Sequence, residues 1–295
     1  MTDRILDISG FAGSLRVRHE RLVLKSDAKE QAVPLAEVAV LVVSNPAVTY
    51  TQAVLAKLME HGGAFVSCGA NRLPNGFMLP LEAHHLQTER IKQQVEASEP
   101  VRKRVWQQLV TAKISAQGKL LGDLHGDDKG LLAMAKRVRS GDPDNFEGVA
   151  SQRYWPAVFG DAGFRRDRDL PGKNAMLNYG YGVLRAIVGR AIVAAGLHPS
   201  IGVHHHNRYD AFCLADDVME PYRPIVDRTV AVYLRENPEP AELDKEVKRP
   251  LLEAMMGRHI VQGEERSLFD VVAQTAVSLV KIFQGSRKKL VIPEL

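Results

Sequence analysis

Along the first 85 or so residues, apolar and polar positions follow the short periods of β-structure. Residues 14–19, Ser-Leu-Arg-Val-Arg-His, alternate apolar and polar side chains, as a half-buried strand does when successive side chains point to opposite faces. Residues 21–25 follow after a short break, which predicts a hairpin. Residues 38–43, Val-Ala-Val-Leu-Val-Val, are a continuous β-branched run, the mark of a strand buried on both faces. Between residues 51 and 61 the spacing changes. Val54, Leu55, Leu58 and Met59 recur as on one face of a helix, and Gly62-Gly63 stops it. Residues 64–68 and 77–79 read as further strands.

From about residue 86 the helical period takes over. Ile91, Val95, Val105, Leu109 and Val110 recur at intervals compatible with a helical turn, as do Leu131, Leu132, Met134, Ala135 and Val138. Residues 174–195 predict a long apolar helix closed by Gly196, and residues 268–283 another. The fold class expected is α+β. A small N-terminal β-sheet domain, residues 1–85, precedes a larger all-helical domain, residues 86–295, with the junction at residues 82–87.

Composition narrows the function classes. The chain has 295 residues, of which 45% are hydrophobic and 25% charged. That is ordinary for a globular protein and excludes a disordered chain, a collagen-like chain and a disulfide scaffold. The two cysteines, Cys68 and Cys213, form no CxxC pattern and so offer neither a zinc site nor a disulfide framework, which fits a reducing cytoplasm. The N-terminus lacks the apolar core of a signal peptide. The longest uncharged apolar stretch, residues 38–56, is broken by Ser44-Asn45-Pro46, so no membrane segment is expected.

Charge is unevenly distributed. The totals of 39 basic and 35 acidic residues give +4, while residues 1–85 hold 8 of each. The remainder therefore carries 31 basic against 27 acidic side chains, and the whole excess lies in the helical half. Residues 151–200 hold seven basic and three acidic side chains, including Arg165-Arg166-Asp167-Arg168. Such density suits a polyanion, because neutralising phosphates releases condensed counterions. A solvated face balanced by nearby acids accounts for the same pattern.

Three segments bear candidate chemistry. In the first, Glu147 opens a predicted helix after the turn formers of residues 141–145, where a glutamate commonly serves only the helix dipole. The second, Gly202-Val203-His204-His205-His206-Asn207, puts three histidines in a loop, where adjacent side chains diverge and one at most enters a given site. The third spans residues 216–224. On a helix Asp217 and Glu220 share a face while Val218 and Met219 pack inward. Two such acids at ~4 Å and an effective dielectric near 20 repel by about 4 kcal/mol. Solvent, Arg223 or a divalent cation must offset that. Carboxylates with one imidazole form an oxygen-rich set suited to magnesium or manganese. Beside a cationic surface, such a cation suggests phosphodiester chemistry. Gly180-Tyr181-Gly182 lacks the rest of a dinucleotide loop, and there is no phosphate-binding loop or nucleophile elbow.

Four stretches in order resemble the CRISPR-associated integrase of the adaptation module, the "Cas-one" family, in a form most like that of type II systems. They are Glu147-Gly148 through Tyr154-Trp155, residues 174–181 (Asn-Ala-Met-Leu-Asn-Tyr-Gly-Tyr), Gly202-Val203-His204-His205, and Asp217-Val218-Met219-Glu220-Pro221-Tyr222-Arg223-Pro224 with Asp227-Arg228. The resemblance implies that Glu147, His205 and Glu220 bind Mg2+ or Mn2+, and that these three and Asp217, in the acidic position one turn earlier, are catalytic. It implies an enzyme that captures short duplex DNA and inserts it as a new spacer into a CRISPR array. A 3′-hydroxyl attacks a repeat phosphodiester, with no covalent enzyme intermediate. It further implies a homodimer formed through the β-domain. Two such dimers would join a dimer of the small second adaptation protein in a heterohexamer, with type II effector machinery as a further partner. Arg153, Arg165, Arg166, Arg168 and Arg223 are then candidate DNA contacts. Two competing readings are a non-catalytic nucleic-acid-binding assembly protein, whose acids merely pair with arginines, and a metal-dependent phosphoesterase acting on small substrates.

Overall fold

The computed structural model describes residues 3–27, 29–261 and 263–294. The N-terminal elements are β1 (Arg4–Asp7), β2 (Gly13–Arg18), β3 (Arg21–Lys25), β4 (Glu30–Pro34), β5 (Val38–Val43), β6 (Val48–Tyr50), α1 (Gln52–Glu60), β7 (Ala64–Cys68) and β8 (Pro74–Met78). They form two four-stranded sheets. In the first, β1, β5 and β7 run parallel and β8 pairs antiparallel with β7. In the second the order is β4-β3-β2-β6, with Arg18 opposite Arg21 at the tight end of the β2–β3 hairpin.

The continuous apolar run of β5 is explained by burial on two sides. Val38 and Leu41 pack into a core with Leu15, Leu22, Val54 and Leu58, beneath the second sheet and α1. Val40 and Val42 face the other way and join Ile5, Ala64 and Val66 in a core shared with Leu184, Ile187 and Val188 of the helical half. The first sheet is thus a layer between the outer sheet and the helices.

The second half contains α2 (Gln87–Glu96), α3 (Glu99–His125), α4 (Leu131–Ala135), α5 (Phe146–Phe159), α6 (Lys173–Ala194), α7 (Cys213–Met219), a 3-10 turn (Glu220–Tyr222), α8 (Arg223–Glu236), α9 (Lys245–Met255), the hairpin β9 (Arg258–Val261) and β10 (Glu264–Ser267), and α10 (Leu268–Phe283). Helix α6 is buried along most of its length, from Met176 to Val193, and α7, α8, α9 and α10 pack against it. Among the described residues, the half expected to be all-helical has strands in that hairpin alone, whose Arg258, Glu264, Glu265 and Arg266 leave little apolar pattern to read. Among the described residues no helix is long and apolar enough to cross a membrane.

Candidate active site

Glu147 sits in the first turn of α5, where its placement is set by the turn before it. Asp142 accepts hydrogen bonds at 2.9 Å from the backbone amides of Phe146 and Glu147, and the Asn145 side chain accepts one from the Gly148 amide. These acceptors occupy amides that a helix start leaves without intrahelical partners. A Cβ at Gly148 would lie 2.7 Å from the Asn145 side chain, which would have to shift from its capping position to make room.

Glu220 begins the 3-10 turn between α7 and α8 and is buried. Glu147 and Glu220, 73 positions apart, meet at the ammonium of Lys113 on α3. Its Nζ is 2.7 Å from Glu147 Oε1 and 2.6 Å from Glu220 Oε2. The contact to Glu147 is a hydrogen bond, whereas Glu220 Oε2 is approached at an angle that forms an ion pair only. Arg223 Nε lies 2.9 Å from Glu220 Oε1, again as an ion pair. Burial alone would raise the Glu220 pKa, but the charges of Arg223 and Lys113 override it and hold the carboxyl below its ordinary value. Burial likewise disfavours the Lys113 charge, and the two glutamates more than restore it.

The histidine loop is organised by Asp217. This buried carboxylate accepts from the amides of Val203 at 2.7 Å, His204 at 3.0 Å and His205 at 3.2 Å, and its Oδ1 is 2.5 Å from His205 Nδ1. Gly202 makes this approach possible, since a Cβ there would lie 2.3 Å from the His205 carbonyl oxygen and 2.9 Å from Asp217 Oδ2. The three histidines diverge. His204 stacks on Trp106 with ring centres 4.1 Å apart, His206 is exposed, and His205 is bound to Asp217. The hydrogen bond to Asp217 raises the His205 pKa against the effect of burial, and the charges of Glu220 and Glu147 add to the rise. With Nδ1 engaged, Nε2 is the nitrogen left to serve as a ligand.

Asp217 and Glu220, which the sequence places on one helix face, therefore serve different partners, and the repulsion between them is relieved separately. Asp217 is neutralised by backbone amides and imidazole, and Glu220 by Lys113 and Arg223. Val218 and Met219 are buried, as expected, but so are both acids. Among the described residues, no three His, Cys, Asp or Glu side chains stand ready to hold a metal ion. The donor chemistry nevertheless fits a hard divalent cation. Two carboxylates already share a cation, and the imidazole has its second nitrogen fixed by a carboxylate, the usual outer support of a metal-bound histidine.

The candidate arginines fall into two groups. A cavity of about 470 Å³ is lined by Lys113, Glu220, Arg166, Arg168, Arg185 and Arg223, among others. Arg168 is exposed there. Arg166 is tied inward, donating to Asn174 Oδ1 at 2.8 Å and to Asn178, and Arg223 lies over the Tyr181 ring at 4.6 Å. Arg153 and Arg165 are exposed but do not line this cavity. Two neighbours escaped the sequence reading. Arg185 is bidentate to Asp216, with both contacts at 2.7 Å. Lys113 had a visible signal, since it lies four residues after Leu109 on the apolar face of α3, where a charge interrupts the pattern.

Comparison with known proteins bears on these residues. A family model described as "CRISPR associated protein Cas1" matches residues 7–262. The "CRISPR-associated endonuclease Cas1" of Neisseria meningitidis serogroup C (strain 8013) is 35% identical over 303 aligned residues, covering 100% of this chain and 97% of that protein. Among solved structures, a casposase bound to integration product superposes with a TM-score of 0.79 at 20% identity, covering 98% of this chain and 92% of the other. A chain of a Cas6-RT-Cas1–Cas2 complex superposes with the same TM-score of 0.79 at 19% identity, covering all of this chain and 36% of that one.

Proposed function

The chain belongs to the CRISPR associated protein Cas1 family, and on that footing we propose that it is a divalent-metal-dependent DNA endonuclease and integrase that inserts short duplex DNA as a new spacer into a CRISPR array. The observation that carries this reading is the meeting of Glu147 and Glu220 at one cation, beside a histidine oriented by Asp217. Glu147, Glu220 and Nε2 of His205 would hold Mg2+ or Mn2+, which when bound polarises a phosphoryl oxygen and favours the ionised form of an attacking hydroxyl. Asp217 has its oxygens committed to three amides and His205, so its part is to position the imidazole. Arg168, exposed at the cavity, would bind the phosphate backbone alongside.

In the reaction a 3′-hydroxyl oxygen forms a bond to a repeat phosphorus as the existing P–O3′ bond breaks, and the proton passes overall from the attacking to the leaving oxygen. One phosphodiester replaces another, so no nucleophilic side chain is needed. Residues 1–85, free of net charge, would serve as the dimerisation domain and residues 86–295 as the catalytic and DNA-binding domain. The partners proposed are prespacer and repeat DNA, a second copy of the chain, the small second adaptation protein in a heterohexamer, and type II effector machinery, all in the cytoplasm.

The test is strand transfer of a labelled prespacer into a plasmid carrying a CRISPR repeat. Product is expected only with divalent metal, and Glu220→Ala should abolish it while duplex binding persists. Full activity of that variant would remove Glu220 from the mechanism. One observation favours a second reading: Glu147 and Glu220 are already paired with Lys113 and Arg223, as in a non-catalytic DNA-binding assembly protein. That reading expects duplex binding with no strand transfer at any metal concentration.

A further inference from the structure

Lys113 is nearly as buried as Leu109, Val110 and Ile114, its apolar neighbours along α3. A lysine at such a position is costly unless its charge is matched. Here it is matched twice, at 2.7 and 2.6 Å, by the two carboxylates read above as metal ligands. The formal charges of Glu147 and Glu220 are balanced by those of Lys113 and Arg223, so the quartet is neutral without any metal.

We propose that Lys113 is a built-in cation that holds Glu147 and Glu220 together before metal arrives and is displaced by it, so that this lysine sets how tightly the site takes up a divalent ion. The inference rests on the reading of Glu147, His205 and Glu220 as the metal site. Carboxylate oxygens approach Mg2+ to about 2.0–2.1 Å, closer than they stand to the ammonium. An ion bound by both carboxylates at their meeting point therefore excludes Nζ from it. Adding two positive charges to a neutral quartet is also opposed unless one of its own cations withdraws. Lys113 borders the cavity that Arg168 and Arg223 line, and the withdrawing ammonium has that space to enter. Without the lysine the two carboxylates would repel, and with it they are kept in register. The same side chain organises the site and competes for it.

The test is Mn2+ binding, measured by calorimetry on the full chain without DNA. Lys113→Met keeps the stem and removes the charge, and it should bind Mn2+ about tenfold more tightly than the unaltered protein, the scale of a typical coupling between two binding events. Mn2+ should also raise its melting temperature by more, as tighter binding to the folded state requires. Equal or weaker binding by Lys113→Met overturns the proposal, because loss of a merely structural lysine loosens the site. Glu220→Gln separates this from failure of the underlying reading. If Mn2+ binding is indifferent to Glu220, the metal-site assignment is wrong. If binding needs Glu220 but Lys113→Met does not tighten it, only the proposal about Lys113 fails. Should Lys113→Met not fold, the unaltered protein decides by 15N NMR of lysine Nζ groups during Mg2+ titration. The ion-paired Lys113 resonance should move or vanish at saturation, and an unmoved resonance overturns the proposal.

Discussion

Asp217 directs both of its oxygens into the loop that carries His205, and the consequence is specific. Asp217→Asn can still meet backbone amides through one oxygen, but it no longer offers a charged acceptor to Nδ1–H. Loss of such a supporting carboxylate typically costs about 10–100-fold in metal affinity or activity. Strand transfer should fall by that range, while duplex binding in a gel-shift assay stays within a factor of two or so of the original. Gly202→Ala should act in the same direction through geometry, because its Cβ would lie 2.3 Å from the His205 carbonyl oxygen. Asp227 gives a pH signature. Burial raises its carboxyl to about 6 despite hydrogen bonds donated by Tyr181 and Tyr154. The folded state then holds a proton that the unfolded chain has released, so this group's stabilising contribution is complete at low pH and is lost as pH rises through about 6. Asp227→Asn does not titrate. Its melting temperature relative to the unaltered protein should therefore become more favourable from about pH 4 to about pH 7, and a constant difference would contradict the assignment. At this scale the sequence was readable in kind rather than in pairing. Three adjacent histidines look alike in a chain, and only the fold separates a ring stacked on Trp106 from one bound to Asp217.

Elements with a strong apolar rhythm are legible in the sequence. The runs at residues 38–43, 174–195 and 268–283 became β5, α6 and α10, because long buried faces leave an unbroken pattern. The strands β4 and β6 were not, since Glu30–Pro34 has no fully buried residue and Val48–Tyr50 spans only three residues. The basic segment 165–168 shows the same limit. It reads as one cationic patch, yet Arg166 is committed to Asn174 and Asn178 at the start of α6 while Arg165 and Arg168 are exposed. Replacing both Arg165 and Arg168 with alanine should weaken duplex binding and lower the slope of log affinity against log salt by about two. Melting temperature should change little. Arg166→Ala should lower it instead, by freeing the loop from α6. An unchanged salt slope in the double variant moves the DNA path to another face.

At the scale of the whole molecule, the two halves read from the change of period are joined more closely than the pattern alone suggests. The β1-β5-β7-β8 sheet contributes Val40, Val42 and Val66 to the same core as α6. Its other face carries the second sheet. The proposed dimer should appear in light scattering as a mass twice 32.6 kDa, and a monomer at working concentrations would remove residues 1–85 from that role. The α+β class was legible because a change of period needs no long-range information. The convergence of Glu147 with Glu220 was expected only through the family resemblance, because contacts between residues 73 positions apart leave no local trace. The central claim concerns that convergence and is best tested by anomalous diffraction from crystals soaked in Mn2+. One peak is expected within coordination distance of Glu147, Glu220 and Nε2 of His205, with Lys113 Nζ displaced. A peak bound elsewhere, or ligated by Asp217 in place of Glu220, would contradict the account.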